Sequence, residues 1–401
     1  MTPWRRRLAD LCQLIVQADQ NYFEPDLFRL NVNNAIQTAR TVTFLIQKNK
    51  SSIPEFDLWY KENLLDRIKG DRVMEWLKES RNHIEKEGDL DVNSECNLET
   101  IFSYTDPGPK MSLKHEGQLF IGTKRLLRTI RKIFPTGVFR DSAIAIDRRW
   151  VATSLPDFEL TDALHYGYSE LERVVDSLDK HLGSEGGVVM PLSRSMRGSS
   201  SRRAYLKSED GQIYSFAHAS TNVTLPDVAA LEERYDVDAF ASAFRTTGDL
   251  STAIERFSEL ASALYTKDGY HITIGFVLGS EGRILHMLQP QFDDHTDKMI
   301  FWTELAHVAR INKEVSAVIF TSEIWFRSAD GFPQKRVSQL DITGEGLQIV
   351  AADRDKCFVK TIPVVSDEAG KRLDIGSAEL TTDVLPNFIV PLRKVWETRQ
   401  K

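Results

Sequence analysis

Lys78-Glu79-Ser80-Arg81-Asn82-His83-Ile84-Glu85-Lys86-Glu87-Gly88-Asp89-Leu90 closes the first quarter of the chain, and its reading decides what that quarter is. Val73, Trp76, Leu77 and Ile84 recur at helical spacing with polar residues between them, as a helix packed on one face requires. Asp71 is placed to cap the start of this helix and Gly88 to stop it. Arg81 and Asn82 fall near its middle. Lys86 follows Arg81 by five residues, about a turn and a half on, so all three are expected to reach one shared surface.

Three further helices are expected upstream, over 3–18, 26–48 and 56–68. The second carries Leu30, Ile36, Ala39, Val42, Thr43, Leu45 and Ile46 as its periodic set, with Arg40 among its polar residues; the third carries Trp59, Tyr60, Leu64 and Leu65. Ser51, Ser52 and Pro54 break the chain between them. Four helices with short links make a bundle.

With Arg81, Asn82, Ile84 and Gly88 in this order, the segment resembles the HEPN superfamily, small all-helical domains. The last long helix of such a domain carries Arg, often Arg-Asn, then a few residues, then His, commonly followed by Gly. In active members the resemblance implies metal-free RNA cleavage, with the histidine moving a proton and the arginine steadying the phosphate. Here Lys86 stands at the histidine position. A lysine near its reference pKa of about 10.4 is protonated at neutral pH and is a poor general base. His83 is no substitute, because two residues along a helix it points nearly opposite to Arg81. The resemblance therefore implies phosphate or RNA binding by Arg81, Asn82 and Lys86, with Arg40 a second cation, or pairing with acids across a dimer interface. Read without the resemblance, Arg81 and Asn82 tie helix ends together and Arg40 makes a surface salt bridge.

The chain has 401 residues, enough for two or three domains, and its 41% hydrophobic content is that of a globular protein. A net charge of −7 and a pI near 5.8 argue against bulk, charge-driven binding to nucleic acid or membrane, so any such contact must be local. Cys12, Cys96 and Cys357 are far apart and odd in number, without zinc or dithiol spacing, which fits a reducing cytoplasm. The first residues, Trp4 to Ile15, read as an amphipathic helix with Asp10 inside it and not as a signal peptide. No apolar run approaches the roughly 20 residues that a membrane span needs.

Asp106-Pro107-Gly108-Pro109 is the clearest linker, and a first boundary is placed near 105. A helix with a basic face (Lys124, Arg125, Arg128, Arg131 and Lys132) is expected over 119–134, a strand over 142–154 and a helix from Pro156 to about Leu182. Segment 184–203 holds Arg194, Arg197, Arg202 and Arg203 among serines and glycines; it is expected to be mobile, or ordered by an anion that the guanidinium forks would grip. A plain flexible loop has the same composition. A hairpin about Asp210-Gly211 follows. Further on come a helix over 250–265, a hairpin pairing 271–278 with 283–289, a helix over 293–313, a central strand over 316–326, and strands 347–352 and 357–364 paired about Asp353-Arg354-Asp355.

His286, Asp293, Asp294, His295, Glu304 and His307 lie close in sequence, and Glu304 and His307 share a helix face at a spacing used in di-metal sites. That pair occurs once and the His-Glu-x-x-His pattern is absent, so no metal or other cofactor is assigned.

The resulting expectation is an α+β multidomain protein: a HEPN-like bundle over 1–105, a mixed region over 106–245 with the Ser/Arg-rich loop, and an α+β domain over 246–401. The expected function is RNA or other polyanion binding or sensing in stress response or defence, by a cytoplasmic homo-oligomer with no membrane contact. The rivals are a non-catalytic protein-interaction or dimerisation scaffold and a metal-dependent hydrolase.

Overall fold

In the computed structural model, the described residues are 1–102, 110–113, 127–128, 132, 141–184, 202–209, 211–214, 243–328, 330, 335, 337–368, 370–382 and 384–399. The helices expected first are present as α1 (Pro3–Gln20), α2 (Pro25–Lys48), α3 (Phe56–Tyr60, continued through the wide turn Lys61–Leu65 and Asp66–Ile68) and α4 (Arg72–Glu87). Pro3 and Pro25 start the first two with the fixed φ that suits a first turn. Asp71 caps α4 by accepting from the backbone N–H of Val73 at 3.0 Å and Met74 at 2.9 Å, and Gly88 at φ 111° ends it.

The bundle does not close on these four. Helix α5 (Leu160–His181), capped by Glu159, lays Leu164, Leu171, Val174, Val175 and Leu178 into the same core as Leu8, Ile15, Ile36, Val42 and Trp76. Gly167 lets α4 approach, since a Cβ there would sit 2.4 Å from Leu77 Cδ1. The helical unit is thus assembled from two stretches of chain separated by strands, and a unit confined to residues 1–105 is corrected on two counts. It takes its fifth helix from beyond that limit, and strand β1 (Val92–Phe102) already lies inside it. The linker at 106–109 lies outside the described residues.

Strand β1 pairs with β2 (Lys110–Leu113) and β3 (Ser142–Ala152), and β4 (Arg202–Lys207) and β5 (Ile213–Tyr214) complete an antiparallel sheet in the order β2-β1-β3-β4-β5. One end of it, through Trp150 and Ala152, joins the helical core.

The second sheet is also antiparallel. It contains β6 (Ile274–Leu278), β7 (Ile284–Leu288), β8 (Ala317–Arg327), β9 (Ile342–Asp353), β10 (Cys357–Asp367), β11 (Gly370–Leu373) and β12 (Glu379–Thr382). Its order is β11-β10-β9-β8-β6-β7, with β12 on β10. Alternation along the central strands feeds two layers, because successive side chains point to opposite faces. Ile319 and Ile349 face α6 (Leu250–Asp268), while Phe320 and Val350 face α7 (His295–Ile311) and α8 (Val390–Thr398). Helix α7 also packs on Ala143, Ala145 and Tyr205 of the first sheet, so it lies between the two sheets. Gly269, left-handed at φ 77°, ends α6 and donates to Tyr265 O at 2.8 Å.

The chain is an α+β protein. Among the described residues no helix is long and apolar enough to cross a membrane.

Candidate functional site

The motif helix does not gather its polar residues at one point. Arg81 lies along α4, with Nη2 2.5 Å from Glu85 Oε1 and Nη1 donating to Asn82 Oδ1 at 3.2 Å. Asn82 and Lys86, four residues apart, are exposed and share a face. Lys86 is rotated about 140° from Arg81, which corrects the expectation of one shared surface for all three. His83 pairs with Glu87 at 3.4 Å. Arg40 donates to Thr43 Oγ1 at 2.6 Å on its own helix. Just beyond Gly88, Asp89 accepts from Arg29 and, at 2.7 Å, from Asn33, which fixes the chain leaving α4 against α2.

Arg202 and Arg203 belong to β4, and neither guanidinium is open to an anion. Arg203 holds Asp147, its cross-strand neighbour, in a two-point fork at 2.7 and 2.6 Å. Arg202 Nη2 lies 2.7 Å from Asp19 Oδ1 and donates to Thr161 Oγ1 at 2.6 Å, with its guanidinium carbon 4.6 Å from the Tyr22 ring centroid. The expectation that both sit in an anion-gripping loop is corrected: a strand register delivers each to an acid. Arg194, Arg197 and most of the basic segment 119–134 lie outside the described residues.

Around Arg202 lies a polar constellation that draws on several elements. Asp19 Oδ2 is 2.8 Å from His165 Nε2; the single Tyr22 hydroxyl proton is shared between Glu159 Oε1 at 3.1 Å and Arg148 O at 3.0 Å; Glu159 Oε2 accepts from Thr161 Oγ1 at 2.5 Å and from Asp162 N at 3.0 Å. Burial pushes the Asp19 carboxyl up, but His165 and Arg202 outweigh it and leave Asp19 below the usual range. Asp162 is pushed up to about 6, by burial first and then by Glu159. These groups come from α1, β3, β4 and the start of α5, and their hydrogen bonds join those elements.

The residues weighed as metal ligands do not converge. Asp294 caps α7 through Asp297 N at 3.0 Å and pairs with Lys207 at 3.0 Å, while Glu304 accepts from Tyr205 at 2.7 Å. Among the described residues no three His, Cys, Asp or Glu side chains are grouped to hold a metal ion. Burial pushes His295 down to about 4.

On the same helix the Lys298 ammonium sits 4.0 Å from the Phe388 ring centroid and 5.2 Å from that of Phe320, and burial pushes it down to about 8. A lysine held below its unfolded value opposes folding while protonated, and that cost is relieved as pH rises from about 8 to about 10.4. Lys298→Met is therefore expected to stabilise the protein by about 1–2 kcal/mol at pH 7, after discounting for partial solvent contact and ring attraction. In urea titrations at pH 7 and 9.5 the gain should shrink at the higher pH; an equal gain at both would refute this assignment.

The feature that sequence periodicity missed is the outer face of α2. Its exposed positions are Asp26, Leu27, Leu30, Asn34, Gln37, Phe44 and Lys48, which with half-buried Thr41 occupy an arc of about 100°. Leu27, Leu30 and Phe44 are 50%, 51% and 54% exposed, so Leu30, counted in the periodic apolar set with Ile36 and Val42, points outward. Between Asp26 and Lys48 this face carries no charge.

The family described as bacteriophage lambda protein ea47 matches residues 2–401. Protein ea47 of Escherichia phage lambda is 34% identical over 396 residues, covering 96% of this chain and 95% of its own. No solved structure matches the chain. With a match along nearly its full length, the chain belongs to the family of bacteriophage lambda protein ea47.

Proposed function

We propose that this protein is a non-catalytic interaction protein that works through its helical unit. The observation that carries this reading is the outer face of α2, an uncharged stripe with three large apolar side chains about half exposed. A solvent face of this length ordinarily carries charged and polar residues; one that is uncharged and leaves three large apolar side chains half open is suited to a protein contact. The described arginines support the same reading, because Arg81, Arg202 and Arg203 are each engaged by a carboxylate, Glu85, Asp19 and Asp147 respectively. In terms of the HEPN resemblance, α4 contributes to a binding scaffold, with Lys86 in place of a proton-transferring histidine.

The rival is RNA binding or sensing, with its link to stress response or defence, and it makes a different prediction. Phosphate contacts release counterions, so true RNA binding weakens steeply with salt. Fluorescence polarisation with a labelled single-stranded RNA at about 50 and 200 mM salt is expected to show no such binding. Binding that weakens about tenfold or more over that range, and that Lys86→Ala reduces, would replace the interaction reading with the RNA one.

A further inference from the structure

We infer that the partner of the α2 face is a second copy of this chain, its α2 laid antiparallel across a twofold axis. This rests on the interaction reading above and names the partner. The outward residues follow a heptad, with Leu27, Asn34 and Thr41 in one row and Leu30, Gln37 and Phe44 in the other, the spacing of a two-helix seam. The rows are also self-complementary about a point between residues 35 and 36. Turned end for end, Leu27 meets the partner's Phe44, Leu30 meets the partner's Thr41, and Asn34 meets the partner's Gln37. Apolar contacts then lie towards both ends with an amide pair in the middle, and a central polar layer of this kind fixes register.

Charge decides the direction. Asp26 and Lys48 stand at opposite ends of the stripe, so the antiparallel arrangement brings each within about one turn of its opposite on the partner. A parallel pairing would set Asp26 on Asp26 and Lys48 on Lys48, which is repulsive. The nearby arginines lie outside the stripe: Arg29 is held by Asp89, and Arg40 turns to Thr43 about 40° beyond the edge of the arc. At 24 residues α2 is about 36 Å long, the length of a small domain, which gives the seam room for a stable contact. Symmetric dimers with one patch on both subunits are the commonest assemblies, and this patch meets the requirement of matching itself.

Cys12, Cys96 and Cys357 are buried, so cysteines introduced on this face can be linked selectively. Full-length Leu27→Cys and Phe44→Cys proteins, each checked for native circular dichroism, are treated with a short bismaleimide alone and as a mixture. The expected result is a covalent dimer in the mixture, at least tenfold above either variant alone, that falls at least tenfold when both chains also carry Leu30→Asp. Linking that is as strong in each variant alone, no linking in the mixture, or linking unaffected by Leu30→Asp overturns the inference. Absence of the link in a protein that also shows no salt-steep RNA binding removes only the second copy as partner. Salt-steep RNA binding removes the interaction reading itself.

Discussion

Replacing Asp19 by alanine is expected to lower folding stability by about 3 kcal/mol at pH 7, because it strands a largely buried guanidinium. Arg202 loses the carboxylate 2.7 Å from its Nη2, and His165 loses its partner at 2.8 Å. Arg202→Ala should have a similar effect, and the double substitution should be well short of the sum, since both remove one network. The effect depends on pH with a definite sign. Asp19 is held below the usual carboxylate range, so its contribution is present above the unfolded value of about 3.9 and is lost as pH falls through the lower folded value. Asp162, pushed up to about 6, acts the other way: its contribution is present at low pH and is lost as pH rises towards 6. Urea titrations at pH 7 and near pH 3 should therefore show the Asp19→Ala penalty shrinking in acid. A penalty below about 1 kcal/mol at pH 7 would mean that the pair behaves as an exposed one.

Trp150→Ala is expected to have the largest effect, about 4 kcal/mol. The side chain is fully buried where the first sheet enters the helical core; it stacks on Phe28 with centroids 4.8 Å apart and donates to Tyr22 O at 2.8 Å. Trp150→Phe keeps a ring in the stack and leaves the Tyr22 carbonyl without that donor, so about 1–2 kcal/mol is expected for it. Because the residue belongs to β3 and to the helical core at once, its loss should lower the transitions of the helical unit and the first sheet together. Thermal unfolding followed by far-ultraviolet circular dichroism and by tryptophan fluorescence checks this. Separate midpoints, with only one displaced, would show two independent units.

Much of the secondary structure is legible in the residues themselves. Asp71 and Gly88 bound α4, Gly269 ends α6, and the Val, Ile and Phe content of β8 marks a central strand. What was missed has physical reasons. Strand β1 alternates cleanly, but its inward residues include Ser94, Cys96 and Thr100, small or polar side chains that do not announce a core. Helix α5 is visible as a helix, whereas its membership of the bundle depends on packing across a long chain separation. Arg202 and Arg203 take their meaning from Asp19 and Asp147, acids remote in sequence and adjacent only once α1, β3 and β4 are assembled. Asp294 and Glu304 lie within one short stretch of sequence but serve Lys207 and Tyr205 separately. On α2 the buried and exposed apolar rows are both periodic, and periodicity alone does not say which side Leu30 joins; the fold places it outside, on the stripe for which we propose a second copy as partner.

Sedimentation equilibrium of the full-length protein at about 10 μM tests that proposal most directly, at a concentration where a micromolar association is populated. The chain mass is 45.7 kDa. The account predicts twice that mass for the wild type and a single-chain mass for Leu30→Asp, an exposed position where the charge leaves the fold intact. A wild type that sediments as a single chain, or a dimer indifferent to Leu30→Asp, would contradict it.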